Sequence, residues 1–193
     1  MRSVCIFCAS SPAVPECYHA DARALGTLLA EDGWRIVYGG GSTGLMGDVA
    51  DAAMSHGGEV TGVIPTFMVE VEWQHPGVAD MRQTVTMWER KRLMMDLADA
   101  IVVLPGSTGT MDEFFEAMAD KKLGLHTKPL VLLNTNGFFD HTVAQVERMV
   151  AERFMTRRHA DVLKVAQTPT EVLELIGAGP EEAIGLRDAA VKE

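Results

Sequence analysis

Positive charge is scarce in this chain: 17 lysines and arginines face 27 aspartates and glutamates among 193 residues, a formal net charge of −10. Such a surface repels a phosphate backbone or an anionic bilayer, so neither nucleic acid nor a membrane is the expected partner. An anionic small molecule would have to be held by local cations and backbone dipoles. Cysteine is also sparse, with Cys5, Cys8 and Cys17 all near the N-terminus. Cys5-Ile-Phe-Cys8 has a redox spacing, but it lies in an apolar run that reads as a strand. Residues three apart on a strand point to opposite faces and share neither a metal nor a disulfide. The six histidines show no paired ligand spacing on any helix, so no metal is expected. No run approaches the roughly 18 apolar residues of a membrane span. The apolar stretch after Met1-Arg2 is near the lower limit for a signal-peptide core and is better explained as a strand, which leaves the cytoplasm as the expected location. Repeats, low-complexity tracts and linkers are missing too.

What is there is a regular alternation. The chain is long enough for one α/β domain, and 47% hydrophobic residues exclude disorder. Strands are expected at Ser3–Cys8, Arg35–Tyr38, Val60–Ile64, Gln83–Thr86, Ala100–Leu104, Leu130–Leu133 and Asp161–Val165. Helices are expected at Tyr18–Glu31, from the glycine loop after Tyr38 to about His56, and at Met87–Leu97, Met111–Leu123, Phe138–Phe154 and Thr170–Ile176. Thr66–Arg82 is the least regular stretch, and loops of that length are often functional. The pattern implies a doubly wound, mostly parallel sheet with helices on both faces. This would be a single Rossmann-like nucleotide-binding domain over residues 1–177, followed by a polar tail at 178–193.

Two glycine loops fall at the carboxyl ends of strands, where such sheets bind ligands. Gly39-x-Gly41-x-x-Gly44 matches the dinucleotide fingerprint as a string. However, it follows the second strand, and no acid ends the next strand to take a ribose hydroxyl. Its missing side chains can let a ligand approach the backbone, or can serve helix–sheet packing alone. Pro105-Gly-Ser-Thr-Gly-Thr110 follows the most apolar strand and opens a helix, so backbone N–H groups and a positive dipole end face an anion there. The hydroxyls of Ser107, Thr108 and Thr110 add donors, and the absence of a P-loop lysine argues against ATP hydrolysis. Asp112 and Glu113 are expected in the first turn of that helix, with Arg90, Lys91 and Arg92 upstream. Glu113 is the candidate catalytic acid; Asp112 and Glu116 read as ordinary helix-start acids. Arg90 reads either as a site residue or as part of a solvated helix face.

Three segments together, Tyr38-Gly-Gly-Gly-Ser-Thr-Gly-Leu-Met-Gly47, Met87-Trp-Glu-Arg-Lys91 and Pro105-Gly-Ser-Thr-Gly-Thr-Met-Asp-Glu113, resemble the LOG family of cytokinin riboside 5′-monophosphate phosphoribohydrolases, long mislabelled as lysine decarboxylases. The resemblance runs from Cys5-Ile-Phe-Cys-Ala-Ser-Ser11 through Lys128-Pro-Leu-Val-Leu-Leu-Asn134, about two thirds of the chain. It implies hydrolysis of N6-modified adenosine 5′-monophosphates, and of AMP as the simpler substrate, to free base and ribose 5-phosphate. Arg90 and Glu113 would be catalytic. Gly106, Ser107, Thr108, Gly109 and Thr110 would hold the phosphate, Gly40, Gly41, Gly44 and Met87 would line the nucleotide cleft, and Lys91 would be a supporting cation. No metal or organic cofactor is implied. The family also implies a homodimer, with which the wide apolar arc of Met111, Phe114, Phe115 and Met118 agrees. Ser107 departs from the family pattern PGGxGTxxE, and a positive φ at that position would make serine costly. Three other readings are open: a non-catalytic nucleotide-binding protein, a nucleic-acid-handling Rossmann relative, which the net charge disfavours, and a decarboxylase, which lacks an evident Schiff-base lysine.

Overall fold

The computed structural model describes residues 1–69 and 73–184. Its strands are β1 (Ser3–Phe7), β2 (Arg35–Tyr38), β3 (Val60–Pro65), β4 (Asp80–Thr84), β5 (Ala100–Val103), β6 (Leu130–Leu133) and β7 (Leu163–Ala166). They form one seven-stranded sheet in the order β4-β3-β2-β1-β5-β6-β7, and every neighbouring pair is parallel. The apolar runs demand this arrangement. Each residue of β1, β5 and β6 is buried, which requires cover on both faces.

The helices supply that cover. They are α1 (Glu16–Glu31), α2 (Gly44–Ser55), α3 (Thr66–Val69), α4 (Met87–Asp96), α5 (Thr108–Lys122), α6 (Asp140–Ala151), α7 (Arg157–Ala160) and α8 (Pro169–Gly177). Leu25 and Leu29 of α1, Val49 of α2 and Ile176 of α8 pack with Val4 and Ile6 on one face. Met94 of α4, Phe114 and Met118 of α5 and Val146 of α6 pack with Cys5 and Phe7 on the other. Alternation along β1 therefore divides the chain into two cores, and it sends Cys5 and Cys8 into different ones.

Most expected elements lie within a residue or two of their predicted bounds. The exceptions have local causes. The fourth strand begins at Asp80, inside the stretch expected to be irregular, because its polar sequence Asp-Met-Arg-Gln-Thr suits the half-exposed edge position that it holds. α5 begins at Thr108, so its first turn carries no acid and Glu113 lies in the second turn. Of the tail expected from residue 178, the described part is docked. Ile184 is buried in the second core, the Glu181 N–H donates to the Thr127 carbonyl at 2.8 Å, and Lys121 pairs with Glu181 at 2.8 Å. Residues 185–193 lie outside the described residues.

The end of α6 carries a strained residue. Arg153 has φ 63°, while its N–H bonds the Val150 carbonyl at 3.0 Å and the Phe154 N–H bonds the Met149 carbonyl at 2.8 Å. This is the nested closure that usually places glycine in the left-handed position. Left-handed geometry costs an L-residue about 1–2 kcal/mol, and the extra chain entropy of glycine offsets part of its relief. Arg153→Gly should therefore stabilise the fold by about 0.5–1 kcal/mol, read as a higher urea midpoint at an unchanged slope. An unshifted midpoint would contradict the strain.

Candidate active site

Strand order reverses between β1 and β5, and the loops after β1, β2 and β5 open a cleft at their carboxyl ends. A pocket of about 440 Å³ lies there. One end is polar, walled by Ser10, Ser42, Thr43, Ser107, Gly109 and Thr110. Two helices begin at this end, α2 after Thr43 and α5 after Ser107, and neither N-cap side chain bonds its own helix. Thr43 spends its hydroxyl on the Ser10 carbonyl instead, at 2.8 Å. The Met46 N–H in the first turn of α2 is spent on the Ala9 carbonyl at 3.3 Å, and the remaining first-turn donors of the two helices, with the hydroxyls beside them, make an anion site without lysine.

Arg90 and Glu113 stand in the wall beside this cradle, 5% and 6% exposed. The start of α4 fixes the arginine. The Thr86 hydroxyl accepts from the Glu89 N–H at 3.1 Å, and the Glu89 carboxylate accepts from the N–H groups of Val85 (2.9 Å) and Thr86 (3.1 Å). This capping box starts the helix at Met87, three residues before Arg90. The Arg90 side chain then runs inward, where Nε donates to the Val63 carbonyl at 3.0 Å and Nη2 to the Gly39 carbonyl at 2.9 Å. A Cβ on Gly39 would lie 2.0 Å from Nη2, so the glycine gives the guanidinium its path. Nη1 is left facing Glu113 Oε1 at 3.6 Å, close enough for charge attraction but longer than a hydrogen bond.

Burial pushes the Glu113 carboxyl up to about 7, against the downward pull of Arg90. An acid that titrates near neutrality beside a fixed cation in a cleft is an arrangement found where proton transfer or charge stabilisation is needed. Among the described residues no cluster of three or more His, Cys, Asp or Glu gathers as a metal site, and no helix is long and apolar enough to cross a membrane.

Comparison with known proteins shows the family. The family model described as possible lysine decarboxylase matches residues 46–176. A probable cytokinin riboside 5′-monophosphate phosphoribohydrolase of Oryza sativa subsp. japonica is 43% identical over 158 residues, 82% of this chain and 70% of the relative. The cytokinin riboside 5′-monophosphate phosphoribohydrolase of Rhodococcoides fascians is 41% identical over 156 residues, 80% of this chain and 79% of the relative. The chain belongs to the LOG family. The fold recurs in a solved molybdenum cofactor binding protein from Rippkaea orientalis, with a TM-score of 0.71 at 21% identity over 92% of this chain and 96% of that one.

The LOG-family motifs sort into residues that face the pocket and residues that shape it. Gly41, Met87, Arg90, Ser107, Gly109, Thr110 and Glu113 line it. Gly40 and Gly44 lie behind the wall, with φ of 75° and 62°, and Gly44 lets the chain pass against Ser10, where a Cβ would meet backbone at 2.6 Å. Gly106 is packed on Thr110. Thr108 is exposed and does not wall the pocket. Lys91 turns away from it, pairing with Asp112 at 2.8 Å and with Glu116. Those two acids answer a lysine from α4 and do not cap α5. Arg90 is the reverse case, since the reading of Glu89–Arg92 as a solvated face fails at the one residue that is buried. Ser107 has φ −90°, an ordinary value for any residue, so serine carries no backbone strain there. Sequence reasoning missed Ser10, Ser42 and Thr43, which polar residues flanking strand ends at the reversal point could have signalled. It also missed Ile64, Met68 and Trp73, for which it held no signal.

The raised Glu113 value has a stability consequence. A carboxyl whose folded pKa exceeds its unfolded value of 4.5 binds its proton more tightly in the folded state, so stability falls as pH rises from about 4.5 through about 7. Glu113→Gln should remove that loss. Relative to wild type, the variant should gain on the order of 2–3 kcal/mol on going from pH 5 to pH 8, measured by denaturant unfolding at both values. A pH-independent difference would show that the carboxyl titrates normally.

Proposed function

We propose that the chain hydrolyses the N-glycosidic bond of N6-modified adenosine 5′-monophosphates, with AMP as a simpler substrate, and that residues 1–177 act as one hydrolase domain. The observation that carries this reading is the buried Arg90–Glu113 pair set beside a lysine-free anion cradle. The 5′-phosphate would occupy the cradle between the starts of α2 and α5, held by Ser107, Gly109 and Thr110. That anchors the sugar beside Glu113. As the bond from C1′ to the base nitrogen lengthens, positive charge builds on the ribose ring and negative charge on the purine. Ionised Glu113 would stabilise the ring charge and take a proton from the attacking water, whose oxygen bonds C1′. Arg90, held at the backbone by two carbonyls, would donate a hydrogen bond from Nη1 to the departing base, and the proton that Glu113 took from the water would pass to that base, which regenerates the carboxylate. The relatives' names support the reaction class and the substrate family. The ordinary φ of Ser107 removes the main objection to turnover. No lysine lines the pocket among the described residues, which favours this chemistry over a lysine-dependent decarboxylation.

We also propose a homodimer acting in the cytoplasm. α4 and α5 are joined by the Lys91 ion pairs and by Arg92–Asp120 at 3.6 Å, yet they expose Trp88 (65%) and Phe115 (39%), and Leu125 beyond α5 is 61% exposed. Apolar side chains of this size on two adjacent helices suit a second copy. The free thiols of Cys5, Cys8 and Cys17 suit a reducing compartment.

Glu113→Gln should lower base release from N6-isopentenyladenosine 5′-monophosphate by about 10²–10⁴-fold, with the nucleotide still bound. Activity within threefold of wild type would sink the mechanism. In wild type, kcat/KM should fall as pH drops below about 7, where Glu113 gains its proton, a limb set above the ionisation of the substrate phosphate near 6. Nucleotide binding with no base release at any pH would instead identify a non-catalytic carrier. Sedimentation at micromolar concentration should give a dimer that Phe115→Asp dissociates, and a monomeric wild type would contradict the assembly.

A further inference from the structure

The loop from β1 to α1 lends Ser10 to the cradle and lies against the start of α2. At Ala9 and Ser10 the backbone itself makes the tie, through the Met46 N–H at 3.3 Å and the Thr43 hydroxyl at 2.8 Å. Farther on, Pro12-Ala13-Val14-Pro15 has two prolines with no N–H to give, and α1 begins after Pro15 without a side-chain cap. His19 reaches back over this turn from the first turn of α1. Its Nδ1 meets the Asp48 carboxylate on α2, and its Nε2 lies 3.3 Å from the Pro12 carbonyl. The ring is 14% exposed. Both partners are acceptors, since neither an ionised carboxylate nor a backbone carbonyl has a proton to give. A neutral imidazole carries one N–H and can serve one of them, whereas the imidazolium serves both.

The charges around the ring favour that second proton. Asp48 faces it from α2; on α1, Glu16 and Arg23 pair with each other, and Arg23 Nη1 lies 3.5 Å from the other Asp48 oxygen. The loop, Ala9 to Pro15, carries no titratable side chain. The hydrogen bond to Asp48 holds the His19 ring above the usual histidine range, against a smaller cost of burial.

We propose that His19 is a positioning residue for the phosphate cradle: as an imidazolium between Asp48 and the Pro12 carbonyl it clamps the loop after β1 onto α2, and loss of its proton slackens Ser10 and weakens phosphate binding. This rests on the function proposed above, which puts a phosphate in the cradle, and goes beyond it by giving work to a residue that does not line the pocket. Once neutral, the ring can keep only one acceptor. The carboxylate is the stronger of the two, so the Pro12 carbonyl is let go, two residues from Ser10. Asp48 keeps Arg23, and Leu25, Leu29 and Val49 keep the two helices in one core, so the change is confined to the loop. The clamp is complete below the ordinary histidine value and is lost as pH rises through the raised one.

The test follows kcat and KM for N6-isopentenyladenosine 5′-monophosphate, and calorimetric binding of ribose 5-phosphate, from about pH 7 to about pH 10 on wild type, His19→Leu and Asp48→Asn. The substrate phosphate and Glu113 titrate alike in wild type and His19→Leu, so the difference between those two reports the ring. In wild type, KM should rise about three- to tenfold as the ring loses its proton, while kcat stays within about twofold. His19→Leu should show the raised KM throughout, with no step. Asp48→Asn should keep the step and move it to lower pH, which simple loosening of the helix pair would not do. Ring NMR should show His19, identified by the signal missing from His19→Leu, still charged at about pH 7, where an ordinary histidine is mostly neutral. A neutral ring there, a step that survives in His19→Leu, or a loss that falls on kcat with KM unmoved would overturn the proposal. If ribose 5-phosphate binds but no base is released, the hydrolase reading fails and the clamp is judged on the binding curves alone. If it binds wild type at no pH, both fail.

Discussion

A guanidinium sealed inside a protein must have its donors answered, and the centre of this molecule is arranged around that requirement. Arg90 gives Nε and Nη2 to backbone carbonyls on two different strand ends, Val63 of β3 and Gly39 just past β2. Backbone acceptors cannot rotate away, so the cation is fixed relative to the sheet itself. The requirement reaches outward from there. It needs β2 and β3 paired in register, a glycine at position 39, and α4 started at one residue by the Thr86–Glu89 box. What remains unspent on the arginine points at Glu113, and that residual contact is what the pocket has to work with.

The carboxylate is treated differently. Glu113 sits one turn deeper in α5 than a helix-start acid would, so it forgoes the dipole and is held by packing. Its surroundings make the charged form costly, and the nearest cation is too far to cancel that cost fully. A group left in this state contributes little to stability and much to reactivity, a trade that binding sites make repeatedly. The acids Asp112 and Glu116, one residue before and three residues after Glu113 on the same helix, are instead neutralised by Lys91 of α4.

Much of this was legible in the sequence. Strand and helix alternation follows from burial on both faces of a parallel sheet, and continuous apolar runs such as Ala100–Val103 announce it without help. The glycine loop beginning at Pro105 was legible because position and composition agree. The glycines after Tyr38 were legible as a cluster but not in their roles, since whether a missing side chain serves a ligand, a turn or a neighbouring arginine depends on contacts 51 residues apart, as for Gly39 and Arg90. Lys91 was misjudged for a related reason, because its partners Asp112, 21 residues on, and Glu116 lie in a helix whose start was placed three residues late. Met68 and Trp73 were unreadable as pocket residues, because their place beside the strand ends is declared only once the sheet is assembled.

The lysine-free cradle has a kinetic side. Lys91 is committed to its acids, and Arg90 and Glu113 nearly offset each other, so the pocket projects little net positive field into solvent. The molecule around it is strongly anionic. A dianion approaching from a distance is therefore repelled rather than drawn in, and that repulsion is the long-ranged part that salt screens. Encounter is left to diffusion and orientation, and attraction begins only when the phosphate touches the two helix starts. Recognition in this site is short-ranged by construction: slow to recruit, and indifferent to ionic strength once contact is made.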